Sequence, residues 1–587
     1  MTISVGEVIA VVGVEIEIRA FENSNVETHF FNGDKYNGIS IREFVSIEHG
    51  FRQIICVIEG EYLDEKTADK SGPQPKYIRK LKAKPIGYFE DGEFRDGIKF
   101  LPKIGDKAHL LSESSVGSIF DGDTNSQFVI GKLLKEELDV SLPWQKVFNS
   151  HLGIFGNTGS GKSNTLTKLF TVLFENKIEK VAQRSKFVFL DFNGEYTGEQ
   201  LTGEEHKSVI RLSTRTGEAD KFMLTEDEFW DAETLGILFH ATTNTQKPFL
   251  RRIVEGRKTY EAEADGLSDF AKAMFAKTLR SEHPNPEALE LLKSLSTHLD
   301  LSAELKSAIH NVGYHRNNSA FYYHGNYFNV DDATYNAFFR ELVDAIDFAE
   351  INGFRELQVR AELKLISDLL YGSVQYEHIQ PLMRRIDAMM TDFSKVLGVA
   401  NDDHVDNTVT VISLRECKQD IKKTIPILIA KHYYELHKTS VQSPPNKTMH
   451  IVIDEAHNIL SQQSNREAES WKDYRLELFE EIIKEGRKFG IYITISSQRP
   501  ADISPTIVSQ LHNYFIHRLV NDRDLALLEN TISTLDRISR GQIPNLPQGA
   551  CVVTGTTFDV PMLLQIDKLP KHQEPDSSDV NLEELWH

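Results

Sequence analysis

The chain has 587 residues, enough for more than one domain around a large buried core. With 40% hydrophobic and 26% charged residues it has the composition of a soluble globular protein, and its prolines and glycines are scattered, so no long linker stands out. A net charge of −21 argues against a surface coated in nucleic acid, but it allows a narrow basic channel inside an acidic exterior.

Residues 1–125 read as all-β. Segments 8–21, 44–58 and 78–89 are rich in β-branched and aromatic residues, and Asn32-Gly33-Asp34, His49-Gly50 and Asp91-Gly92 supply turns. Short strands at this spacing suggest a small barrel. The apolar N-terminal stretch has no basic residues ahead of it, and Glu15, Glu17 and Arg19 break it in strand-like alternation, so it reads as a strand and not a signal peptide. No apolar run approaches the roughly 20 residues of a membrane span. Cys56, Cys417 and Cys551 are far apart and form no CxxC or Cys/His cluster, which fits buried thiols in a reducing cytoplasm. The expected location is cytoplasmic, with no membrane partner.

From residue 126 strands and helices alternate. Segments 151–155 and 187–192 read as strands, and 163–176 as an amphipathic helix with Leu166, Leu169, Phe170 and Leu173 on one face. Further strands are expected at 408–414, 451–454, 492–496, 514–519 and 550–554. Such apolar runs suit the central strands of a parallel sheet covered on both faces. Residues 216–400 interrupt the alternation with helices at 234–241, 247–258, 267–279, 287–299, 336–348 and 360–370, and read as a helical insertion. Its aromatics Phe321, Tyr322, Tyr323, Tyr327 and Phe328 read as core in preference to a base-stacking platform. The acidic stretch 571–587 suggests a mobile tail.

Gly156-Asn157-Thr158-Gly159-Ser160-Gly161-Lys162-Ser163 matches G-x-x-x-x-G-K-[ST], with a strand before it and a helix after. The glycines let consecutive N–H groups converge on phosphates, and the helix N-terminus adds its positive end. Lys162 is expected to reach the β- and γ-phosphates, and the Ser163 hydroxyl to ligate Mg2+. The apolar strand ending at Asp454-Glu455 supplies the second half of the site: Asp454 for Mg2+, Glu455 to orient or deprotonate the attacking water. The adjacent glutamate, with no N-K-x-D downstream, favours ATP over GTP. Gln498 ends the next strand, where a polar residue can sense the γ-phosphate. Arg487 closes the helix before that strand. It fits either compensation of the helix dipole or an arginine finger for a neighbouring subunit, and Arg518 is the other candidate for the second role.

These pieces, in this order, resemble the HerA family of hexameric DNA translocases within the HerA/FtsK group. The resemblance rests on HLGIFGNTGSGKSNT at 151–165, LDFNGEY at 190–196, IVIDEAHNIL at 451–460, EGRKFGIYITISSQRPADISPTIVSQ at 485–510, HRL at 517–519 and LPQGACVVTG at 546–555. It implies an α/β, RecA-like P-loop core of the glutamate-using (ASCE) branch, with a small N-terminal barrel and a helical insertion. The expected division is 1–125 barrel, 126–215 first part of the core, 216–400 insertion, 401–570 second part of the core and 571–587 tail. It also implies a homo-hexamer with ATP sites between subunits and duplex DNA in the central channel. Asn164, Asp191 and Glu195 would lie near the nucleotide, Gln498 would be the sensor and Arg487 the trans-acting arginine. The implied partner is a NurA-type nuclease or a defence effector seated on the barrel face. Two other readings use the same ATP site: a ring that scaffolds and regulates an effector without translocating, and a secretion or conjugation ATPase, against which the lack of a membrane segment counts.

Overall fold

Alternating apolar residues near the N-terminus close a barrel. The computed structural model describes residues 3–577 and 585–586, except 25, 32, 67–75, 121–127, 261–265, 300, 329–332, 349–350, 352, 401–406, 463–468, 536 and 559. The first strands are β1 (Ser4–Val12), β2 (Glu15–Ala20), β3 (Phe44–His49), β4 (Arg52–Lys66), β5 (Lys76–Glu90), β6 (Glu93–Asp96) and β7 (Lys107–Leu110). Six of them pair in the order β2-β1-β7-β3-β4-β5, and β5 pairs with β2 to close the ring; β6 pairs with β5. Every second residue points inward. Ile16 and Ile18, Val45 and Ile47, and Ile54, Cys56 and Ile58 therefore fill the interior.

Segment 8–21 is a hairpin and not one strand, because Gly13 takes a left-handed turn at φ 62°. Gly50 turns segment 44–58 into β3 and β4 in the same way. The first 125 residues are also not all-β, since helix α1 (Glu113–Phe120) packs Phe120 against Phe44. Asn32 lies outside the described residues; Gly33 and Asp34 turn a small hairpin of Thr28–Phe31 with Asp34–Asn37. Strands β1, β3 and β5 run the same way, so the turns at Gly13, Gly50 and Gly92 share one end of the barrel. The loop entering β7 lies at that end too. Val12, Val14, Phe51, Ile98, Leu101 and Ile104 stand exposed there.

The second unit is one eleven-stranded sheet. Its strands are β8 (Val129–Leu133), β9 (Asp139–Ser141), β10 (Leu152–Phe155), β11 (Ser185–Asp191), β12 (Lys207–Ser213), β13 (Val409–Glu416), β14 (Thr448–Ile453), β15 (Ile491–Ser497), β16 (Asn513–His517), β17 (Ala550–Gly555) and β18 (Met562–Ile566). The spatial order is β9-β8-β18-β17-β16-β10-β15-β14-β11-β13-β12. The seven strands from β16 to β12 are parallel, and the four at the other edge antiparallel. One strand, β15, separates β10 from β14. This is the RecA-like arrangement, in which the strand ending in the P-loop and the strand ending in two acids hold a third between them.

Helix α2 (Lys162–Val181) follows the P-loop and buries Leu166, Leu169, Phe170 and Leu173 against the sheet. Between β12 and β13 the chain is mainly helical: α3 (Gln246–Tyr260), α4 (Gly266–Leu279), α5 (Pro286–His298), α6 (Gly353–Leu370) and α7 (Tyr376–Val396). Helix α6 is buried on nearly all sides, and its core continues into that of the sheet. Phe321 and Phe328 are core residues, whereas Tyr322 and Tyr327 stand partly exposed beside His315. Two helices follow in the second part of the core, α8 (Gln419–Ser440) before β14 and α9 (Glu469–Gly486) before β15. Arg42 joins the barrel to the core, donating to Gln542 Oε1 at 2.8 Å and Ser539 Oγ at 3.0 Å.

The acidic tail is not loose where it is described. Asp576 N donates to Glu195 O at 3.0 Å, and Gln200 Nε2 to Glu574 O at 3.1 Å. Main-chain groups make these contacts; the ion pair of Asp576 with Arg415, at 3.6 Å, is exposed and adds little. No helix among the described residues is long and apolar enough to cross a membrane.

Candidate active site

The P-loop starts where β10, buried throughout, leaves the sheet between two neighbours. Gly156 N donates to Ser497 O at 3.3 Å, and Asn157 N to Arg518 O at 2.9 Å. The turn needs glycine where another backbone comes close. Gly161 has φ 108°, and a Cβ there would stand 2.8 Å from Gly549 Cα. Gly549 N donates to Ser160 O at 2.9 Å, so the segment before β17 forms the floor of the loop. At Gly156 a Cβ would meet His517 Cβ at 2.5 Å. Burial lowers the His517 imidazole to about 4, and it is therefore neutral. Its Nδ1–H donates to Ala550 O at 2.9 Å, and Nε2 accepts from Thr165 Oγ1 at 2.8 Å.

Three carboxyl groups converge on Lys162. Its Nζ lies 3.1 Å from Glu455 Oε1 and 3.7 Å from Asp454 Oδ1. Burial would lower the Lys162 ammonium, but Asp454 and Glu455 more than offset this and hold it above its ordinary range. Burial, and then the Asp454 charge, push the Glu195 carboxyl up to about 7, against Ser163 and Asn193, which pull it down. Strand β14 ends just before the buried Asp454, and the next residue, Glu455, turns into the left-handed region at φ 47°. Such a conformation costs a non-glycine residue about 1–2 kcal/mol, and here it turns the carboxylate back toward Lys162. His457 Nδ1 stands 3.2 Å from Glu455 Oε2 and 3.3 Å from Ser497 Oγ.

The loop after β11 forms the third wall. Asp191 is fully buried, and its two oxygens accept from the amides of Asn193, Gly194, Glu195 and Tyr196 at 2.7–3.2 Å. Its carboxylate is committed to backbone. It builds the turn that aims Glu195 at Ser163, Asp454 and Lys162, and so acts through its neighbours. Tyr196 OH, completely buried, donates to Asp454 Oδ2 at 3.3 Å. Asn164 is likewise turned aside: Nδ2 donates to Asp567 O at 3.1 Å and pins the first turn of α2 to the end of β18.

Gln498, just past the end of β15, accepts from Thr158 Oγ1 at 2.5 Å, so this strand end touches the P-loop. Arg487 is elsewhere. It begins a short 3-10 turn, Arg487–Phe489, that follows α9. The seven residues of β15, at about 3.3 Å each, put it roughly 20 Å from Gln498, at the opposite end of the strand. It is exposed, with NH1 3.3 Å from His512 Nε2, whereas its neighbour Lys488 is paired with Glu485 at 2.5 Å. Arg518 sits beside the P-loop of the same chain through the bond from Asn157. Motif reading does not select Tyr196, His457, His517 or Gly549 as site residues. All four lie in the conspicuous phrases, but each also has a partner from a distant part of the chain: Asp454 for Tyr196, Ser497 for His457, Thr165 for His517 and Ser160 for Gly549.

The residues fit a divalent cation beside a phosphate chain. Asp454 Oδ1 and Glu195 Oε2 are buried without a hydrogen-bond partner. Buried oxygens of this kind are costly unless a donor or a cation meets them.

The chain matches the family model described as "Helicase HerA, central domain" over residues 128–360. It is 23% identical over 512 residues to a probable helicase of Methanocaldococcus jannaschii, covering 86% of this chain and 79% of that protein. It is 23% identical over 567 residues to the DNA double-strand break repair helicase HerA of Sulfolobus acidocaldarius, covering 92% and 91%. Among solved structures, VirB4 of Thermoanaerobacter pseudethanolicus aligns with a TM-score of 0.44 at 11% identity, covering 77% of this chain and all of that one.

Proposed function

We propose that this chain, which belongs to the HerA family of P-loop ATPases, is the subunit of a hexameric ring that hydrolyses ATP to move along double-stranded DNA. The observation that carries the reading is the position of Arg487. The P-loop, Lys162, Asp454, Glu455 and Gln498 gather where the central strands end, and an exposed arginine with no carboxylate partner among the described residues stands where β15 begins. In this reading a group roughly 20 Å from its own phosphate site serves catalysis in a neighbour's site, and head-to-tail repetition of that contact gives a ring where the rotation closes.

In this reading Gly156, Asn157, Thr158, Gly159, Ser160 and Gly161 wrap the phosphates with backbone N–H groups, and Lys162 leaves its carboxylate partners to reach the β- and γ-phosphates. Ser163, Asp454 and Glu195 would hold Mg2+, which when bound neutralises charge on the phosphate oxygens. Glu455 orients the attacking water and takes its proton. Gln498 reports the γ-phosphate to β15, and the neighbour's Arg487 meets charge developing on the transferred group. Duplex DNA runs through the central channel. The exposed apolar end of the barrel supports a seat for a partner chain there, a nuclease or another effector.

The deciding experiment measures ATP hydrolysis with and without linear duplex DNA at low salt, in wild type and Glu455→Gln. Stimulation by DNA, and loss of hydrolysis with retained nucleotide binding in Glu455→Gln, is the expected result. Hydrolysis indifferent to DNA overturns the translocase and leaves a ring that scaffolds an effector.

A further inference from the structure

The turn built by Asp191 reaches the Asp454 carboxylate with one group that motif reading does not select. Tyr196 carries the last of the four amides bound to Asp191, so its backbone is fixed by the same carboxylate that orients Glu195. Its ring packs beside Phe189 of β11, with centroids 6.0 Å apart, and its hydroxyl points across to the end of the neighbouring strand β14. There it donates to Asp454 Oδ2 at 3.3 Å. The other Asp454 oxygen, Oδ1, faces Lys162 at 3.7 Å and has no hydrogen bond. One oxygen of Asp454 is thus tethered and the other left open toward the site.

We infer that Tyr196 is a positioning residue for the cation site, fixing the rotation of the Asp454 carboxylate so that Oδ1 stays available to a divalent ion. Without such a tether a buried carboxylate beside an ammonium is free to rotate and bring either oxygen onto it. The tyrosine hydroxyl opposes this because it is buried and has Asp454 as its acceptor. Groups that orient a metal's carboxylate ligand typically contribute tenfold to a hundredfold in metal affinity. At 3.3 Å the bond is long, and the lower figure is the expected one.

The inference rests on Asp454 being the cation's ligand, and the test separates the two. The full chain, as wild type, Tyr196→Phe and Asp454→Asn, is titrated with Mg2+ while binding of a fluorescent ATP analogue is followed. Thermal unfolding is recorded in parallel. The substitution Tyr196→Phe keeps the ring and its packing and removes one hydroxyl. It is expected to raise the Mg2+ concentration needed for half-maximal tight binding about tenfold, and to leave Mg2+-independent binding as in wild type. Asp454→Asn is expected to abolish the Mg2+ dependence. If Asp454→Asn keeps it, the cation site is misassigned. If Asp454→Asn loses it while Tyr196→Phe matches wild type, Tyr196 is a structural residue only and the inference fails. A Tyr196→Phe chain that unfolds at lower temperature with the same Mg2+ midpoint overturns the inference in the same way.

Discussion

Thr158 in the P-loop donates its hydroxyl to Gln498 Oε1 at 2.5 Å, across the gap between the end of β10 and the end of β15. A side chain that touches the phosphate loop and sits on the strand leading back to Arg487 joins the local site to the far end of that strand. Replacing Gln498 with Ala removes this link but no phosphate-binding amide. Nucleotide affinity should stay within about threefold of wild type, and hydrolysis should fall about a hundredfold, as when a single polar group facing the reacting atoms is lost. Steady-state ATPase assays beside nucleotide titrations check this.

Arg487→Ala and Lys162→Ala subunits should each be inactive alone and recover activity when mixed. In randomly mixed rings about one interface in four pairs an intact P-loop with an intact arginine. Recovery to a measurable fraction of wild-type hydrolysis is expected, and Arg518→Ala should not substitute for Arg487→Ala in the mixture. Phosphate release from mixed preparations gives the answer.

Glu455 sits at φ 47°, which reverses the usual order of small residues. Elsewhere in a chain Ala stabilises relative to Gly. Here Glu455→Gly should be more stable than Glu455→Ala by about 1 kcal/mol, because only the former escapes the left-handed penalty. Both should be inactive. Urea unfolding of the two variants side by side measures the difference.

His450 is buried on β14 and stacked on Phe187 with ring centroids 4.4 Å apart. Burial lowers its imidazole to about 3. The unfolded chain takes up the proton near pH 6.5 and the folded one only near 3, so this residue's contribution to stability is complete above pH 6.5. It declines as the pH falls toward 3. At pH 5 the loss is roughly 2 kcal/mol. His450→Phe, which keeps the stack, should narrow the difference in urea midpoint between pH 7.5 and pH 5 accordingly.

A Cβ at Gly161 would meet Gly549 Cα at 2.8 Å. Gly161→Ala should weaken nucleotide binding by about tenfold or more while the barrel and the insertion keep their structure. Calorimetric titration with ATP, beside far-ultraviolet circular dichroism, distinguishes this from unfolding.

Strands buried on both faces are plain in the sequence. Residues 187–190 and 451–453 are continuous apolar runs and 491–495 is broken only by Thr494, because helices cover both sides of those strands. The edge strand β12, KSVIRLS, mixes polar and apolar residues and gives no such signal. Helix α7 is not expected from the sequence because Pro381 lies inside it, where proline forfeits a backbone hydrogen bond that packing of the buried face must offset. The P-loop and the Asp454-Glu455 pair are legible because their chemistry demands fixed spacing. The direction of the Asp191 carboxylate is not, since spacing cannot tell whether an acid faces a ligand or its own backbone. The tail misleads for a related reason: its charge suggests mobility, while main-chain groups at residues 574 and 576 carry the contacts.

Gly161 and Gly549 meet although most of the chain lies between them. On the ribosome the P-loop is made well before its floor. At about 5–20 residues per second, the interval is tens of seconds or more. A nascent or truncated chain that already carries every phosphate-binding residue therefore lacks the surface against which they are shaped.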